Sequence, residues 1–304
     1  MTQGGPSGSA DTTSGSEGRI PFPRRLTGWM RKHKAYTALL LILALLLAEL
    51  AGIPWLAVAR LKTQNPGETA LMRQRGAEAE AAGKPFRVTQ TWIPLSRIPK
   101  RLVDAVIVAE DGTFFTHGGV DWFEVRESLE KDIHEGRAAR GASTITQQLA
   151  KNLFLSTSKD PVRKVKELII TFLMEQELDK DRILEIYLNI VEWGPGVFGV
   201  EAASETYFGA HAENLTLDQA ARLAAVIPSP IRHRPDGEGK YVLRRKEIVL
   251  GRMGARNMVP APPGTTLAGA AVPPRDSSAV IPGAPGETAG EDTMEIDEGR
   301  ENGL

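Results

Sequence analysis

The stretch IVAEDGTFFTHGGVD, Ile107–Asp121, decides how this chain is read. An apolar run leads into two adjacent carboxylates, Glu110 and Asp111, and then into Phe114, Phe115, His117 and the pair Gly118–Gly119. An acid pair where an apolar helix ends is either a cap on that helix or a piece of chemistry, and the surrounding sequence has to say which.

From Pro99 to about Asn257 the hydrophobic pattern is helical and dense. It predicts helices over 99–110, 121–135, 143–154, 162–178, 181–191, 199–207, 216–227 and 241–257. The punctuation agrees. Thr144 and Gln147 fit a capping box, in which a hydroxyl reaches a free N–H and an amide reaches back. Pro161 stands at a helix start, where its missing N–H costs nothing. Thr216 or Asp218 can cap the helix that follows, and Gly209 after ETYF is a stop signal. Upstream, Arg87–Leu95 has the composition of a short strand, and residues 60–85 read as a linker with a surface helix lacking a clear apolar face.

The ends differ from this body. Residues 1–34 are rich in Gly, Ser and Thr and finish in Arg24, Arg25, Arg31, Lys32 and Lys34; they read as a disordered basic segment. Ala35–Ala59 is apolar with one charge, Glu49, and is long enough for a transmembrane helix. Five Lys/Arg in the fifteen residues before it against three in the fifteen after place the N-terminus in the cytoplasm and the remainder outside. Ala57-Val58-Ala59 also resembles a signal-peptidase site, so a cleaved signal is the competing reading; the length favours a retained anchor. Residues 258–304 are rich in Pro and Gly and then acidic, which reads as a disordered tail.

The 304 residues hold 25% charged and 41% apolar side chains, ordinary for a folded protein, with a net charge of −1. Charge is uneven: seven Lys/Arg face one acid, Asp160, between Gly136 and Lys166. There is no cysteine, which excludes disulfides, thiolate catalysis and Cys-bound zinc. The basic block carries one aromatic, Phe154, where single-strand binders interleave several stacking rings, so nucleic acid is not an expected partner. GPGVFG, Gly194–Gly199, matches a dinucleotide fingerprint but follows a helical pattern, and reads as a glycine-rich turn between helices. STSK, Ser156–Lys159, lacks the K-T-G and S-D-N partners of penicillin-binding enzymes.

Three segments remain: the opening stretch, RGASTITQQLAKN (Arg140–Asn152) and RKVKE (Arg163–Glu167). Singly, each has an ordinary reading as surface acids, in-helix salt bridges or a solvated basic face. Jointly they give two carboxylates, hydroxyls and amides at a helix start, and cations suited to phosphate. Clustered His/Asp spacing for a metal is absent from the sequence.

In these segments the chain resembles the peptidoglycan glycosyltransferases of the lysozyme-like family 51, in their monofunctional biosynthetic transglycosylase form. E-D-x-x-F-x-x-H-x-G-x-D is met by Glu110, Asp111, Phe114, His117, Gly119 and Asp121. G-[AG]-S-T-I-[ST]-Q-Q is met from Gly141 to Gln148, R-K-x-x-E by Arg163, Lys164 and Glu167, and I-L-x-x-Y-L-N from Ile183 to Asn189. The resemblance implies a mainly α, lysozyme-like glycosyltransferase domain over 86–257. It also implies an apolar jaw against the membrane around 118–140, where Trp122, Phe123, Val125, Leu129 and Ile133 occur.

The activity it implies is polymerisation of lipid II onto a growing glycan strand, with inversion and release of the lipid pyrophosphate at the outer face of the cytoplasmic membrane. Glu110 would be the general base. Glu167 would be a second catalytic carboxylate, holding cations or assisting departure, with a divalent ion (Mg or Mn) admitted but not fixed. Lys151, Lys159, Arg163 and Lys164 would bind pyrophosphate; Ser143, Thr146, Gln147 and Gln148 would orient sugar and phosphate; Asp111 would support them by hydrogen bonding. His117 and Asp121 read as loop-fixing. Lys159 departs from the arginine often found in the family and loses its bidentate fork. Membrane lipid and proteins of cell-wall synthesis or division are the implied partner classes. Two other classes stay open: a lytic glycosidase acting on the same polymer, and an inactive membrane-tethered scaffold.

Overall fold

Side-chain caps set where four of the helices begin. In the computed structural model, which describes residues 33–135, 143–158 and 160–258, Thr144 accepts from the Gln147 amide while Gln147 bonds back to Thr144, and helix α6 (Ile145–Phe154) starts there. Asp160 caps α7 (Pro161–Glu177) with proline in its first turn. Asp179 caps α8 (Lys180–Ile190). Of the two caps open at 216–218, Thr216 is used, in a capping box with Gln219 that begins α10 (Leu217–Val226). Asp218 instead pairs with Arg222 and Lys246. Gly209 ends α9 (Val200–Phe208) in the left-handed conformation, at φ 62°. With α4 (Lys100–Glu110), α5 (Trp122–Glu135) and α11 (Lys240–Ala255), all eight expected helices are present to within two residues at either end.

The core forms around α8, whose Ile183, Leu184, Ile186, Tyr187, Leu188 and Ile190 are buried. Each such side chain contributes roughly 1.5–3 kcal/mol by leaving water. α6 packs against α7 and α8, while α10 packs against α4 and α11.

The extended segment is shorter than expected. Only Thr89–Gln90 forms a strand, β1. Pro94 lacks a ladder N–H and a 3₁₀ turn follows at Leu95–Arg97. The buried amide of Asn189 takes over: its Oδ1 accepts from the Ile93 N–H at 2.9 Å and its Nδ2 donates to the Ile93 carbonyl at 2.9 Å. The glycine-rich GPGVFG segment is part of a hairpin of β2 (Glu192–Gly194) and β3 (Val197–Phe198), giving a sheet ordered β1-β3-β2. β3 runs parallel to β1, with Thr89 opposite Val197, and antiparallel to β2 across a bulge. Gly199 closes it at φ 79°, where a Cβ would lie 2.5 Å from the Asn189 carbonyl oxygen. A helix start does follow the glycines, but no βαβ unit surrounds them.

Lys34–Arg60 is long and apolar enough to cross a membrane, with a mean hydropathy of 2.3 over its best window. It breaks at Gly52–Pro54 into α1 (Lys34–Ala51) and α2 (Trp55–Arg60). The two parts differ. Leu39, Leu40, Leu41 and Ile42 on α1 are exposed, whereas Ile53, Val58 and Leu61 are buried in the main core, with α2 packed on α7. Residues 60–85 also do more than link. α3 (Ala70–Ala81) buries Leu71 and Met72 against Phe198, a local pair too short to register as an apolar face in the sequence. Of the expected disordered ends, all but His33, Lys34 and Met258 lie outside the described residues.

Candidate active site

Glu110 is the last residue of α4, and its carboxylate opens into a cleft of about 1120 Å³. Behind it runs a relay: the buried Tyr187 hydroxyl donates to Gln148 Oε1 at 3.0 Å, and Gln148 Nε2 donates to Glu110 Oε2 at 2.8 Å. Burial pushes the Glu110 carboxyl above the usual range. The Gln148 hydrogen bond and the charges of Arg245 and Lys151 offset this only in part, and Asp111 adds to the rise. A carboxylate whose proton affinity is raised, yet which stays reachable, suits general-base work.

Asp111 faces inward. Its Oδ2 accepts the Ile145 N–H at 2.9 Å, at the start of α6, and its Oδ1 lies 2.9 Å from His117 Nε2. His117 Nδ1 accepts the Gly119 N–H at 3.1 Å, so in this geometry the ring proton sits on Nε2 and is donated to Asp111. The Thr144 hydroxyl donates to the Gly119 carbonyl at 2.6 Å. Gly119 has φ 90°, and a Cβ there would come within 2.7 Å of Thr171. Asp121 caps α5 through the Phe123 and Glu124 N–H groups and accepts from the Thr113 hydroxyl. Burial would raise its pKa, but these hydrogen bonds win and hold it below the usual range. Residues 111–121 are thus a loop stitched to the start of α6, which fixes the direction in which Glu110 points.

A cation cluster gathers around Glu167. Both Glu167 oxygens are taken, by Arg163 Nη1 at 2.6 Å and Lys164 Nζ at 2.5 Å, and Glu167 is buried. Burial lowers the Lys151 pKa; Glu167 and Glu110 oppose this, while Arg163 and Lys164 reinforce it. Lys151 is therefore the charge that feels both carboxylates. Lys159 lies outside the described residues.

The structure divides the expected substrate-binding set. Asp111, Ser143 and Gln148 line the cleft with Glu110. Arg163 lines a second cavity of about 260 Å³ with Lys166 and Glu49. Thr146 and Gln147 face the interior. Thr146 is fully buried and donates to Glu175 at 2.5 Å, and Gln147 spends its amide oxygen on the Thr144 cap. Of the expected jaw residues, Trp122 and Phe123 are about two-thirds exposed, at 67% and 68%, and Val125 is half-buried. The side chains of Leu129 and Ile133 lie outside the described set.

Sequence reasoning missed a basic part of the cleft wall. Arg232, Arg245, Arg252 and Arg256 line the cleft together with His233 and Tyr241, whose rings stack at 3.9 Å. These arginines are spread from Arg232 to Arg256: Arg245 and Arg252 lie on α11, Arg256 at its C-terminal cap and Arg232 in the loop before it. Tyr187 was visible only as a motif letter.

At Glu167, Arg163 and Lys164 hold one carboxylate oxygen each. Among the described residues one group, Glu201, Glu205 and His211, brings ligand atoms within 4.8 Å of one another. It is absent from the cleft lining, and Glu201 is spent there on His211 at 2.7 Å and on the Ala212 N–H at 2.8 Å.

The chain that builds this cleft has close counterparts among known proteins. The family model described as Transglycosylase matches residues 78–254, well over half of the chain. A biosynthetic peptidoglycan transglycosylase of Herminiimonas arsenicoxydans is 40% identical over 229 residues, covering 75% of this chain and 98% of that one. One from Janthinobacterium sp. (strain Marseille) is 41% identical over 232 residues, covering 76% and 96%. One from Dechloromonas aromatica (strain RCB) is 44% identical over 194 residues, covering 64% and 84%. The matched segment contains Glu110, the 111–121 loop, Glu167 and the arginines of α11, and with it this chain belongs to the transglycosylase family.

Proposed function

We propose that the protein polymerises lipid II into linear peptidoglycan strands by inverting glycosyl transfer, releasing undecaprenyl pyrophosphate. One observation carries the reading: Glu110 feels two basic banks, the arginines Arg232, Arg245, Arg252 and Arg256 that share its cleft and Lys151, which neighbours Arg163 and Lys164. Donor and acceptor each bring a lipid pyrophosphate, and each bank answers one of them. A neutral glycan being hydrolysed has no use for either.

In the reaction, Glu110 accepts the proton of the acceptor sugar 4-hydroxyl while that oxygen attacks the donor anomeric carbon. The bond to the pyrophosphate oxygen breaks and the leaving group departs with the electron pair. It already carries negative charge, so it needs cations more than a proton. Lys151, Arg163 and Lys164 supply them, and Glu167 holds the last two in place. Gln148 keeps Glu110 aimed, and Ser143 contacts substrate at the cleft floor. Asp111, Thr146 and Gln147 act by fixing the loop and the start of α6.

α1 anchors the domain in the cytoplasmic membrane with the N-terminus inside, following the excess of Lys/Arg before it. The exposed Phe115, Trp122 and Phe123 rest on the outer leaflet. The test is conversion of labelled lipid II: long glycan supports the reading, while fragments released from cell-wall sacculi without polymer overturn it.

A further inference from the structure

α7 presents two faces. Arg163, Glu167, Ile170, Thr171 and Met174 turn inward to the cation cluster and core, and all but Arg163 are buried. Val162, Val165 and Phe172 stand exposed along the opposite side, with Ile169 half-buried between them. This is an apolar stripe at helical spacing. Lys166 is the cation within that stripe. Glu49 is the only charged residue of the apolar segment 35–59. The two meet: Lys166 Nζ forms an ion pair with a Glu49 carboxylate oxygen that is itself buried. Both also line the small cavity that Arg163 borders.

An acid inside an apolar, membrane-length helix is costly unless paired. A helix of this segment's length rises about 1.5 Å per residue, which sets Glu49 roughly 22 Å from Lys34. α1 ends at Ala51, so Glu49 lies within one turn of the end of the anchor that meets the folded domain. The contact therefore ties a defined depth of the anchor to the residue next to Glu167. α2, whose Val58 docks in the core, packs on the same helix a few residues further along the chain.

We infer that Glu49 is a positioning residue. Its ion pair with Lys166 sets the depth of α7 at the membrane surface, so that Lys151, Arg163 and Lys164 meet a substrate pyrophosphate at headgroup level. The inference rests on the reading of α1 as a retained anchor and of the cluster as the pyrophosphate site. Truncation of either partner leaves only the α2 packing to set the level of α7, so α7 rides higher and the reaction suffers in substrate capture more than in chemistry.

The native chain has no cysteine, so the single substitution Val165→Cys accepts a spin label on the exposed stripe of the full-length protein in lipid vesicles. Immersion depth is read from the label's relative accessibility to oxygen and to a water-soluble nickel chelate. Glu49→Gln is expected to move the label toward water, and the charge swap Glu49→Lys with Lys166→Glu to return it. In vesicles containing lipid II, Glu49→Gln is expected to raise KM about 10-fold with kcat nearly unchanged, the signature of lost uniform binding. A label depth and KM unchanged by Glu49→Gln, or a swap that leaves the label displaced, overturns the inference. The depth readout needs no turnover. A wild-type chain that makes no glycan would sink the activity reading and still leave the ion pair to be decided.

Discussion

At the scale of single residues, Glu110 is set apart from Asp111 by where each one's hydrogen bonds go. Asp111 spends its oxygens on the Ile145 N–H and His117, whereas Glu110 takes one hydrogen bond from Gln148 and opens to the cleft. The motif pair looks symmetrical in sequence, and only the partners, 34 and 38 residues downstream, break the symmetry. Because burial raises the Glu110 pKa, the acidic limb of the pH–rate profile is expected above the ordinary glutamate range, with activity lost as pH falls through it. The same shift has a stability consequence. A carboxyl whose folded pKa exceeds its unfolded value favours the fold below the unfolded value, and this contribution is lost as pH rises through the folded one. At neutral pH the ionised Glu110 is a net cost, so Glu110→Gln should melt at or slightly above the wild-type temperature at pH 7 and lose that advantage toward pH 4. Calorimetry at the two pH values checks the sign. Tyr187→Phe leaves Gln148 Oε1 without its donor; about 1 kcal/mol of stability should go with it. The rate is expected to fall about 10-fold with KM little changed, the signature of a misaimed base.

At the scale of elements, the helices were legible because their caps are local chemistry. Thr144, Asp160, Asp179 and Thr216 act within three residues of themselves. What was not legible is non-local: the β1-β3-β2 sheet joins segments about 100 residues apart, and the arginine wall exists only once α11 lies across α4. The start of α6 is where local and non-local meet, since Thr144 both caps the helix and holds the Gly119 carbonyl. Thr144→Ala is therefore expected to cost about 2 kcal/mol, at the upper end for a cap, and Thr144→Ser to restore most of it in denaturant melts. Activity should fall with the alanine variant beyond what the lost stability explains, because the 111–121 loop loses its tie.

At the scale of the whole molecule, the mainly α class and the transglycosylase family were legible from four motifs in series, whereas the role of the segment before them was not. Composition marks 35–59 as one apolar run, yet Ile53, Val58 and Leu61 belong to the core, and Arg182 on α8 grips the Leu61 and Gln64 carbonyls at 2.8 and 3.0 Å. Scission after Ala59 would cut through α2 beside the fully buried Val58. A chain starting at Gly52 should therefore fold with near full-length stability, while one starting at Lys62 should lose several kcal/mol, as expected for removing three buried aliphatic side chains; paired thermal melts distinguish them. The central claim concerns what the assembled cleft does. Its most direct test is the conversion of labelled lipid II in vesicles by the full-length protein and by Glu110→Gln, resolved by product length. Long glycan from the wild type and none above background from a folded Glu110→Gln is the expected result. Polymer from Glu110→Gln at the wild-type rate would contradict the account.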